Sequence, residues 1–285
     1  MKVFLTGATG YIGSAILPLL VDGGHDVTAI VRSSDKARAV EERGATAVVG
    51  DLDDRAALEP LLRASEGVIH TASPGDATSE RVDATVADAV IATLAGTGTP
   101  YIHTGGAWVW GNNTSLTEED PNDPPALTAW RVPIADRLAA ADLPLTVLHP
   151  GIVYGYGKGL PAMVSGGPRT DDGRVITLGS GLQHWTTIHV DDIAALYLAV
   201  LEAGSGFGDL LGVSGDNPQV IDVTAAAAGD ADVATESADS LRARVGDDLA
   251  EALLLDQAAD AAKARSIAGW TPTRPTLIEE LRNPG

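Results

Sequence analysis

Apolar residues fall into short runs rich in valine and isoleucine, separated through the first half of the chain by longer segments with apolar residues at helical spacing. Continuous rather than alternating hydrophobicity indicates strands buried on both faces, as in a parallel sheet covered by helices. We predict strands near 2–6, 26–31, 46–49, 67–71, 100–104 and 145–149, and helices over 11–22, 34–43, 55–64, 79–95 and 128–141. This order predicts an α/β fold, a doubly wound parallel sheet of the Rossmann type.

The pattern changes after Pro150-Gly151. Residues 155–183 form a glycine-rich stretch without clear periodicity, where we expect substrate to bind. A helix should run from Asp192 to Glu202 with Asp191 as its N-cap, and the tail over 222–285 indicates small helices with a strand or two. We therefore predict a dinucleotide-binding Rossmann domain over 1–150 and a substrate-binding lobe over 151–285, interleaved with it.

Composition narrows the class of partner. The 285 residues are 45% hydrophobic, include no cysteine and carry a formal net charge of -20. The acidic excess is shared by both halves, which argues against nucleic acid as a partner, and no apolar run is long enough to cross a membrane. The first predicted strand begins at Lys2, leaving no room for a targeting segment before it, so we expect a cytoplasmic protein, with a homodimer left open.

The first strand runs into a glycine turn that reads Thr6-Gly7-Ala8-Thr9-Gly10-Tyr11-Ile12-Gly13. In such a turn the first glycine allows a tight bend, the second allows the backbone to approach a pyrophosphate, and the third allows the helix to pack on the sheet. The helix that follows presents free N–H groups and its positive dipole end to the phosphates. The turn therefore predicts a nicotinamide dinucleotide site built on Gly7, Thr9, Gly10, Tyr11, Ile12 and Gly13.

The second strand ends at Val31 and is followed by Arg32 and Ser33, with no carboxylate at that position. An Asp or Glu there would accept hydrogen bonds from the ribose hydroxyls of NAD. A guanidinium can instead bind a 2′-phosphate in bidentate fashion, and the neighbouring hydroxyl can donate to it. We therefore predict NADP as the cofactor, with NAD as the alternative.

Further motifs follow the later strands in the same order: Gly50-Asp51-Leu52, Ile69-His70-Thr71-Ala72, Thr104 to Gly111, His149 to Gly155, and Ile188 to Asp192. Together with the glycine turn, these motifs resemble the extended and atypical short-chain dehydrogenase/reductase superfamily, the NAD-dependent epimerase/dehydratase group, over nearly the whole chain. The resemblance implies three further contacts with the cofactor. Asp51 and Leu52 would border the adenine; Thr71, Ala72 and Ser73 would lie along the ribose and phosphates; Pro150, Gly151, Ile152 and Val153 would cover the nicotinamide.

The chain departs from that family at its usual catalytic pair, Tyr-x-x-x-Lys on the helix after the fifth strand. No tyrosine lies between Tyr101 and Tyr154, and Gly106 stands where the family has a hydroxyl. Tyr154 does have a lysine four residues on, Lys158, but Gly155 and Gly157 between them argue against a helix. The proton donor that such a pair would supply is therefore not evident.

Four residues are candidates for the missing chemistry, each with a structural alternative. Tyr154 would open the loop bordering the nicotinamide, or pack beneath it. Thr104 could offer a substitute hydroxyl, or satisfy its own strand; Thr104 is also a candidate cofactor contact. Arg131 could bind an acidic group of the substrate, or serve its helix. Trp130, with Trp108, Trp110 and His184-Trp185, could supply aromatic surface that favours an apolar or aromatic substrate.

Three functions are compatible with these observations. The first is an NADP(H)-dependent oxidoreductase that reduces a C=O or C=N bond of a small molecule. The second is an epimerase or dehydratase that retains its cofactor, and the third is a non-catalytic NADP-binding sensor. No metal site is predicted, because no two histidines have the spacing of a zinc-binding helix.

Overall fold

The computed structural model describes residues 1–283, so the last two residues of the predicted lobe lie outside the described residues. The strands, in chain order, are β1 (Lys2–Thr6), β2 (Asp26–Val31), β3 (Thr46–Val49), β4 (Gly67–His70), β5 (Tyr101–Thr104), β6 (Asn113–Leu116), β7 (Leu145–Pro150), β8 (Ile152–Gly155), β9 (Lys158–Gly159), β10 (Val175–Ile176), β11 (Thr187–His189), β12 (Gly208–Gly212), β13 (Val233–Ala234) and β14 (Gln257–Ala259). Seven of these strands form one parallel sheet in the order β12-β7-β5-β4-β1-β2-β3. The doubly wound α/β fold is thereby confirmed.

The helices are α1 (Gly13–Asp22), α2 (Ser34–Glu41), α3 (Arg55–Arg63), α4 (Ser79–Leu94), α5 (Arg131–Ala139), α6 (Ala162–Ser165), α7 (Val190–Glu202), α8 (Val220–Ala228), α9 (Ala238–Val245), α10 (Asp247–Leu253), α11 (Ala262–Ala268) and α12 (Leu277–Arg282). The apolar core on one face of the sheet includes residues of α1, α2, α7 and α11. The core on the opposite face includes residues of α3, α4 and α5. No helix among residues 1–283 combines the length and apolar character needed to cross a bilayer.

A third core lies beside the sheet and is built from the second half of the chain. It joins β8, α6, α8, α9, α10 and α12 around the buried side chains of Tyr154 and Trp185. The second half nevertheless also supplies β12 and α7 to the central sheet and its helix layer. The division into 1–150 and 151–285 stays a prediction, since both sides of it enter the sheet.

Three local expectations were wrong. The stretch over 155–183 includes β9, α6 and β10 rather than irregular chain alone. The helix expected over 128–141 is shorter, because residues 128–130 form a turn in which Arg131 N donates to Thr128 O. Asp191 does not cap a helix from Asp192; α7 begins at Val190, and the His189 side chain accepts a hydrogen bond from Asp191 N.

Candidate functional site

A cavity of about 1130 Å³ opens along the carboxyl ends of the sheet strands. Ligands bind at this edge of open α/β sheets because the loops that follow the strands converge there. The predicted site residues that line it are Gly7, Thr9, Gly10, Tyr11, Ile12, Arg32, Asp51, Leu52, Thr71, Ala72, Ser73, Thr104, Trp130, Arg131, Pro150, Gly151, Ile152 and Val153. Gly13, Ser33 and Tyr154 do not line it, and each has another role.

The glycine turn at the end of β1 is closed by a hydrogen bond from Gly10 N to Gly7 O of 2.7 Å. Gly7 has a φ of +77°, a conformation that glycine adopts without strain. A Cβ on Gly13 would lie 2.1 Å from Gly7 O, whereas the closest neighbour of a Cβ on Gly10 would be Gly7 O at 3.1 Å. Gly13 therefore allows α1 to pack against the turn, and Gly10 keeps the backbone open to the cavity.

The first turn of α1 has no side-chain cap and no acidic residue. Its N–H groups and dipole are thus available to an anion in the cavity. Next to the turn, the Tyr11 hydroxyl donates to Gly155 O at 2.9 Å and ties the turn to β8. Burial, with the nearby carboxylates of Glu280 and Asp191, raises the pKa of Tyr11 well above its ordinary value. Tyr11 therefore serves as a neutral structural donor.

At the other side of the turn, Arg32 follows β2 and lies exposed on the cavity wall, together with Lys36 of α2. Within the described chain, Arg32 has no carboxylate within ion-pair distance. Ser33 instead caps α2, with its hydroxyl accepting from Lys36 N at 3.4 Å. The two cations are therefore free to meet an anionic ligand, while the Ser33 hydroxyl is engaged by its own helix.

The opposite end of the cavity is formed by Thr104 at the end of β5, by Trp108, and by Trp130 and Arg131 at the start of α5. The Thr104 hydroxyl donates to His70 O at 2.6 Å and lies 2.6 Å from the Tyr197 hydroxyl. Burial raises the pKa of Tyr197 well above its ordinary value, so its phenol stays protonated. The only proton of the Thr104 hydroxyl is already donated to His70 O, so this hydroxyl has none to donate to a ligand.

Tyr154 lies in the third core, with 2% of its surface exposed. Its hydroxyl donates to Pro275 O at 2.7 Å. Burial, with the carboxylate of Asp216 next in importance, raises the pKa of Tyr154 well above its ordinary value. The structure thus places this phenol away from the cavity. Trp110, His184 and Trp185 also lie outside the cavity lining, which leaves Trp108 and Trp130 as its tryptophans.

A buried polar network lies behind this wall, and the sequence analysis did not anticipate it. His70 Nε2 lies 2.7 Å from Asp83 Oδ1, and His103 Nε2 lies 3.3 Å from Asp83 Oδ2. The other ring nitrogens lie 2.7 Å from the Thr6 hydroxyl and 2.9 Å from the Tyr101 hydroxyl. The His70 contact has the length of a hydrogen bond, so the group forms a bonded polar chain between sheet and α4.

The family model described as NAD(P)H-binding matches residues 7–203. The chain belongs to this NAD(P)H-binding family. It is 27% identical to Uncharacterized protein C2A9.02 of Schizosaccharomyces pombe over 99% of this chain and 98% of the relative. It is 30% identical to Epimerase family protein SDR39U1 of Mus musculus over 75% of each chain. These matches and the fold confirm the resemblance to the epimerase/dehydratase superfamily.

Among solved structures, the chain is similar to dTDP-glucose 4,6-dehydratase of Bacillus anthracis in complex with NAD. The two share a TM-score of 0.77 and 15% identity, covering 99% of this chain and 94% of the other. At that identity the likeness establishes the fold. The site itself fits an NAD(P) cofactor, because the uncapped first turn of α1 and the exposed cations Arg32 and Lys36 offer donors for anionic phosphates at one cavity.

Sequence reasoning missed Gln257, which joins the far end of the cavity from β14. Its side-chain amide donates to Ala107 O at 2.9 Å and to Gly111 O at 2.7 Å, fixing the loop after β5. No local signal marks this residue, because its partners lie about 150 positions earlier in the chain.

Proposed function

We propose that the protein is an NADP(H)-dependent oxidoreductase that reduces a C=O or C=N bond of a small molecule. One observation carries this proposal: a single cavity joins the glycine turn and Arg32 at one end to Thr104, Trp130 and Arg131 at the other. Its volume of about 1130 Å³ exceeds that of ordinary small-molecule pockets, which run to roughly 1000 Å³. The cavity therefore has room for a dinucleotide and a second molecule beside it.

The residues of the cavity divide the work of binding. The glycine turn and the first turn of α1 bind the pyrophosphate, and Arg32 with Lys36 binds the 2′-phosphate. Asp51 and Leu52 border the adenine; Thr71, Ala72 and Ser73 follow the ribose and phosphates; Pro150, Gly151, Ile152 and Val153 cover the nicotinamide. A nicotinamide cofactor, when bound, supplies a hydride to the substrate. The chain orients the two molecules relative to each other.

Besides a hydride, reduction of a carbonyl requires a proton for its oxygen atom. Tyr154 donates to Pro275 O, and Thr104 shares its proton with His70 O, so neither hydroxyl is free. We propose that water in the cavity supplies the proton when the substrate is a carbonyl. A C=N substrate in its iminium form needs no proton from the chain, because its reduction gives a neutral amine.

The experiment that tests the cofactor is a comparison of NADPH and NADH binding, measured by the fluorescence of the reduced nicotinamide. We expect the wild type to bind NADPH roughly tenfold or more tightly than NADH, the gain from one charge-assisted phosphate contact. Arg32→Glu should remove that preference. Arg38→Glu changes an exposed arginine of α2, the helix that follows Arg32, and should keep the preference because Arg38 does not line the cavity. Equal affinities in the wild type would contradict the proposed NADP preference.

The reaction type is tested by the fate of NADPH. A reductase consumes one NADPH for each product molecule, whereas an epimerase or dehydratase regenerates its cofactor within each cycle. The name of the mouse relative keeps the second reaction as an alternative. Conversion of substrate without net loss of NADPH would favour it, and cofactor binding without conversion of any carbonyl or imine would favour a sensor.

A further inference from the structure

Arg131 differs from most arginines of this chain in its surroundings. It is the first residue of α5 and lies partly buried on the cavity wall at the Thr104 end. Its Nη1 donates to Thr104 O at 3.2 Å, and its Cζ lies 4.4 Å from the centre of the Trp130 ring. These contacts hold the guanidinium between two residues that both line the cavity.

No carboxylate of the described residues pairs with this guanidinium. Eight other arginines each form an ion pair: Arg55, Arg63, Arg81, Arg137, Arg174, Arg242, Arg244 and Arg274. Arg131 has one hydrogen bond to a neutral carbonyl, although a guanidinium carries five N–H donors. In a chain with 39 acidic and 19 basic residues, a cation without an acidic partner on a cavity wall is suited to an anion from outside the chain.

The buried carboxylate of Asp83, which lies behind the cavity wall, does not form an ion pair with Arg131. Asp83 opposes the desolvation that lowers the pKa of Arg131, so its field stabilises the charged form. Its oxygens, however, contact His70 Nε2 at 2.7 Å and His103 Nε2 at 3.3 Å. Asp83 therefore opposes the effect of burial on the guanidinium without forming an ion pair with it, and the remaining donors of Arg131 stay free.

We infer that Arg131 binds a carboxylate of the substrate, and that the substrate is a 2-oxo or 2-imino acid. A planar guanidinium matches a carboxylate with two parallel hydrogen bonds. The first turn of α5 has no acidic residue, so the positive end of its dipole adds to the attraction. The inference rests on the proposed function, which places the reacting C=O or C=N bond at the same end of the cavity.

The overall reaction of a 2-oxo acid balances without a further reactant. The C=O π bond breaks, a C–H bond forms at its carbon with the hydride of NADPH, and an O–H bond forms at its oxygen, which gives an alcohol. One NADPH is oxidised to NADP, one proton is taken from water, and the carboxylate is unchanged. Trp108 and Trp130 line the same end of the cavity and favour a substrate with an aromatic or apolar substituent.

The test compares two probes that differ at one group. Phenylpyruvate carries the carboxylate, and phenylacetone has a methyl group in its place. Binding of each to the NADP-saturated protein is measured by calorimetry. We expect the wild type to prefer phenylpyruvate by roughly 10- to 100-fold, the range for hydrogen bonds to a charged group. Arg131→Gln should abolish the preference for phenylpyruvate. Arg131→Lys should retain only part of it, because a lysine keeps the positive charge but cannot form the paired bonds.

Arg137→Gln is the matched control, since Arg137 lies on α5 but pairs with Asp88 on the exposed side of the helix. This variant should keep the wild-type preference, and all variants should bind NADP as the wild type does. Failure of the wild type to bind phenylpyruvate overturns the inference, as does an unchanged preference in Arg131→Gln. Weaker NADP binding by both Arg131 variants would assign the guanidinium to the cofactor and also overturn it.

Turnover separates this inference from the proposed function. Phenylpyruvate binding that depends on Arg131 without any oxidation of NADPH supports the carboxylate site and contradicts the reductase. Oxidation of NADPH with phenylacetone as fast as with phenylpyruvate supports the reductase and contradicts the carboxylate site. If Arg131→Gln does not fold, as judged by circular dichroism, the partial loss expected of Arg131→Lys decides the matter.

Discussion

Tyr154 bonds to the C-terminal segment of the chain rather than to the cavity. Its hydroxyl donates to Pro275 O at 2.7 Å, and its ring packs in the third core. We expect Tyr154→Phe to reduce any substrate as fast as the wild type while losing about 1 kcal/mol of unfolding free energy, the net worth of one hydrogen bond. Urea unfolding and steady-state rates measure the two effects. A tenfold loss of rate with unchanged stability would place the phenol in the reaction instead.

We expect His103 to make the stability of the protein depend on pH. Burial lowers the pKa of His103, against the opposing field of Asp83, so the folded state resists protonation of this ring. Below the ordinary histidine pKa of about 6.5 the unfolded chain binds the proton more readily, and stability therefore falls as the pH falls. The pKa of Asp83 is lowered even though burial alone would raise it, because His103 and His70 stabilise its charged form. The contribution of ionised Asp83 to the free energy of unfolding is fully present above the ordinary carboxyl pKa and is lost only as the pH falls below it.

We therefore expect the free energy of unfolding to decrease between pH 7 and pH 5 by up to about 1.4 kcal/mol per pH unit for the His103 proton. Urea unfolding at intervals across that range measures it. His103→Gln removes the titrating ring and should give a shallower slope, whatever its stability at pH 7. Parallel slopes for the two proteins would show that another group is responsible.

At the scale of single residues, the sequence allowed prediction where function depends on local backbone. Gly7 and Arg32 follow strands directly, and Gly10 lies three residues further on, so their place at the sheet edge follows from the strand pattern. The partners of Tyr154 and Gln257 could not be predicted, because they lie 121 and about 150 positions away. Such contacts depend on how the third core packs, and local spacing carries no information about that.

At the scale of elements, two glycines of the turn between β1 and α1 have different roles, one in cofactor binding and one in packing of the helix. A Cβ on Gly10 would be 3.1 Å from its closest neighbour, a contact that a small shift relieves; under the proposed function, the same Cβ would hinder the approach of the pyrophosphate to the backbone. A Cβ on Gly13 would lie 2.1 Å from Gly7 O and would force α1 away from the turn. The two glycines thus contribute to different properties of the same element.

We expect Gly10→Ala to stay folded and to bind NADPH at least roughly tenfold more weakly, since it removes the close approach of backbone to phosphate. Gly13→Ala should lose roughly 1–3 kcal/mol of unfolding free energy, the usual cost of overpacking. Fluorescence titration and urea unfolding distinguish the two. Gly106→Ala is the control for stability, because a Cβ there would meet nothing within 4 Å. An unfolded Gly10→Ala would refute this separation.

The first six sheet strands were predictable because each is a short apolar run, and the first four are each followed directly by a helix. The seventh, β12, was missed: it reads Gly-Asp-Leu-Leu-Gly, and its first two residues are exposed. Glycines at both ends indicate a turn as readily as a strand. Its pairing with β7 depends on α7, which precedes it and packs across the sheet. Only the whole arrangement distinguishes this edge strand from a loop.

At the scale of the whole molecule, the C-terminal segment, residues 270–275, joins the third core to the helix layer of the central sheet. Trp270 Nε1 donates to Asp192 O at 3.0 Å. The Asp192 carboxylate accepts from Thr273 N at 2.9 Å and from Arg274 N at 3.0 Å. Asp192 is buried on α7, so these bonds form where water competes little. The Asp192 carboxylate thereby fixes the segment whose Pro275 carbonyl oxygen accepts the hydrogen bond from Tyr154.

Removal of this carboxylate should release the segment without unfolding the sheet. We expect Asp192→Ala to lose roughly 2–4 kcal/mol of unfolding free energy, because two backbone donors lose a charged acceptor. Brief chymotrypsin digestion should then cleave after Trp270, which is 6% exposed in the wild type. Asp191→Ala removes the neighbouring carboxylate, which pairs with Arg274 nearer the surface, and should resist that cleavage. NADPH binding should survive in both variants, because among the described residues the glycine turn and Arg32 form no hydrogen bond with the segment; its loss in Asp192→Ala would instead show that the two regions unfold as one unit.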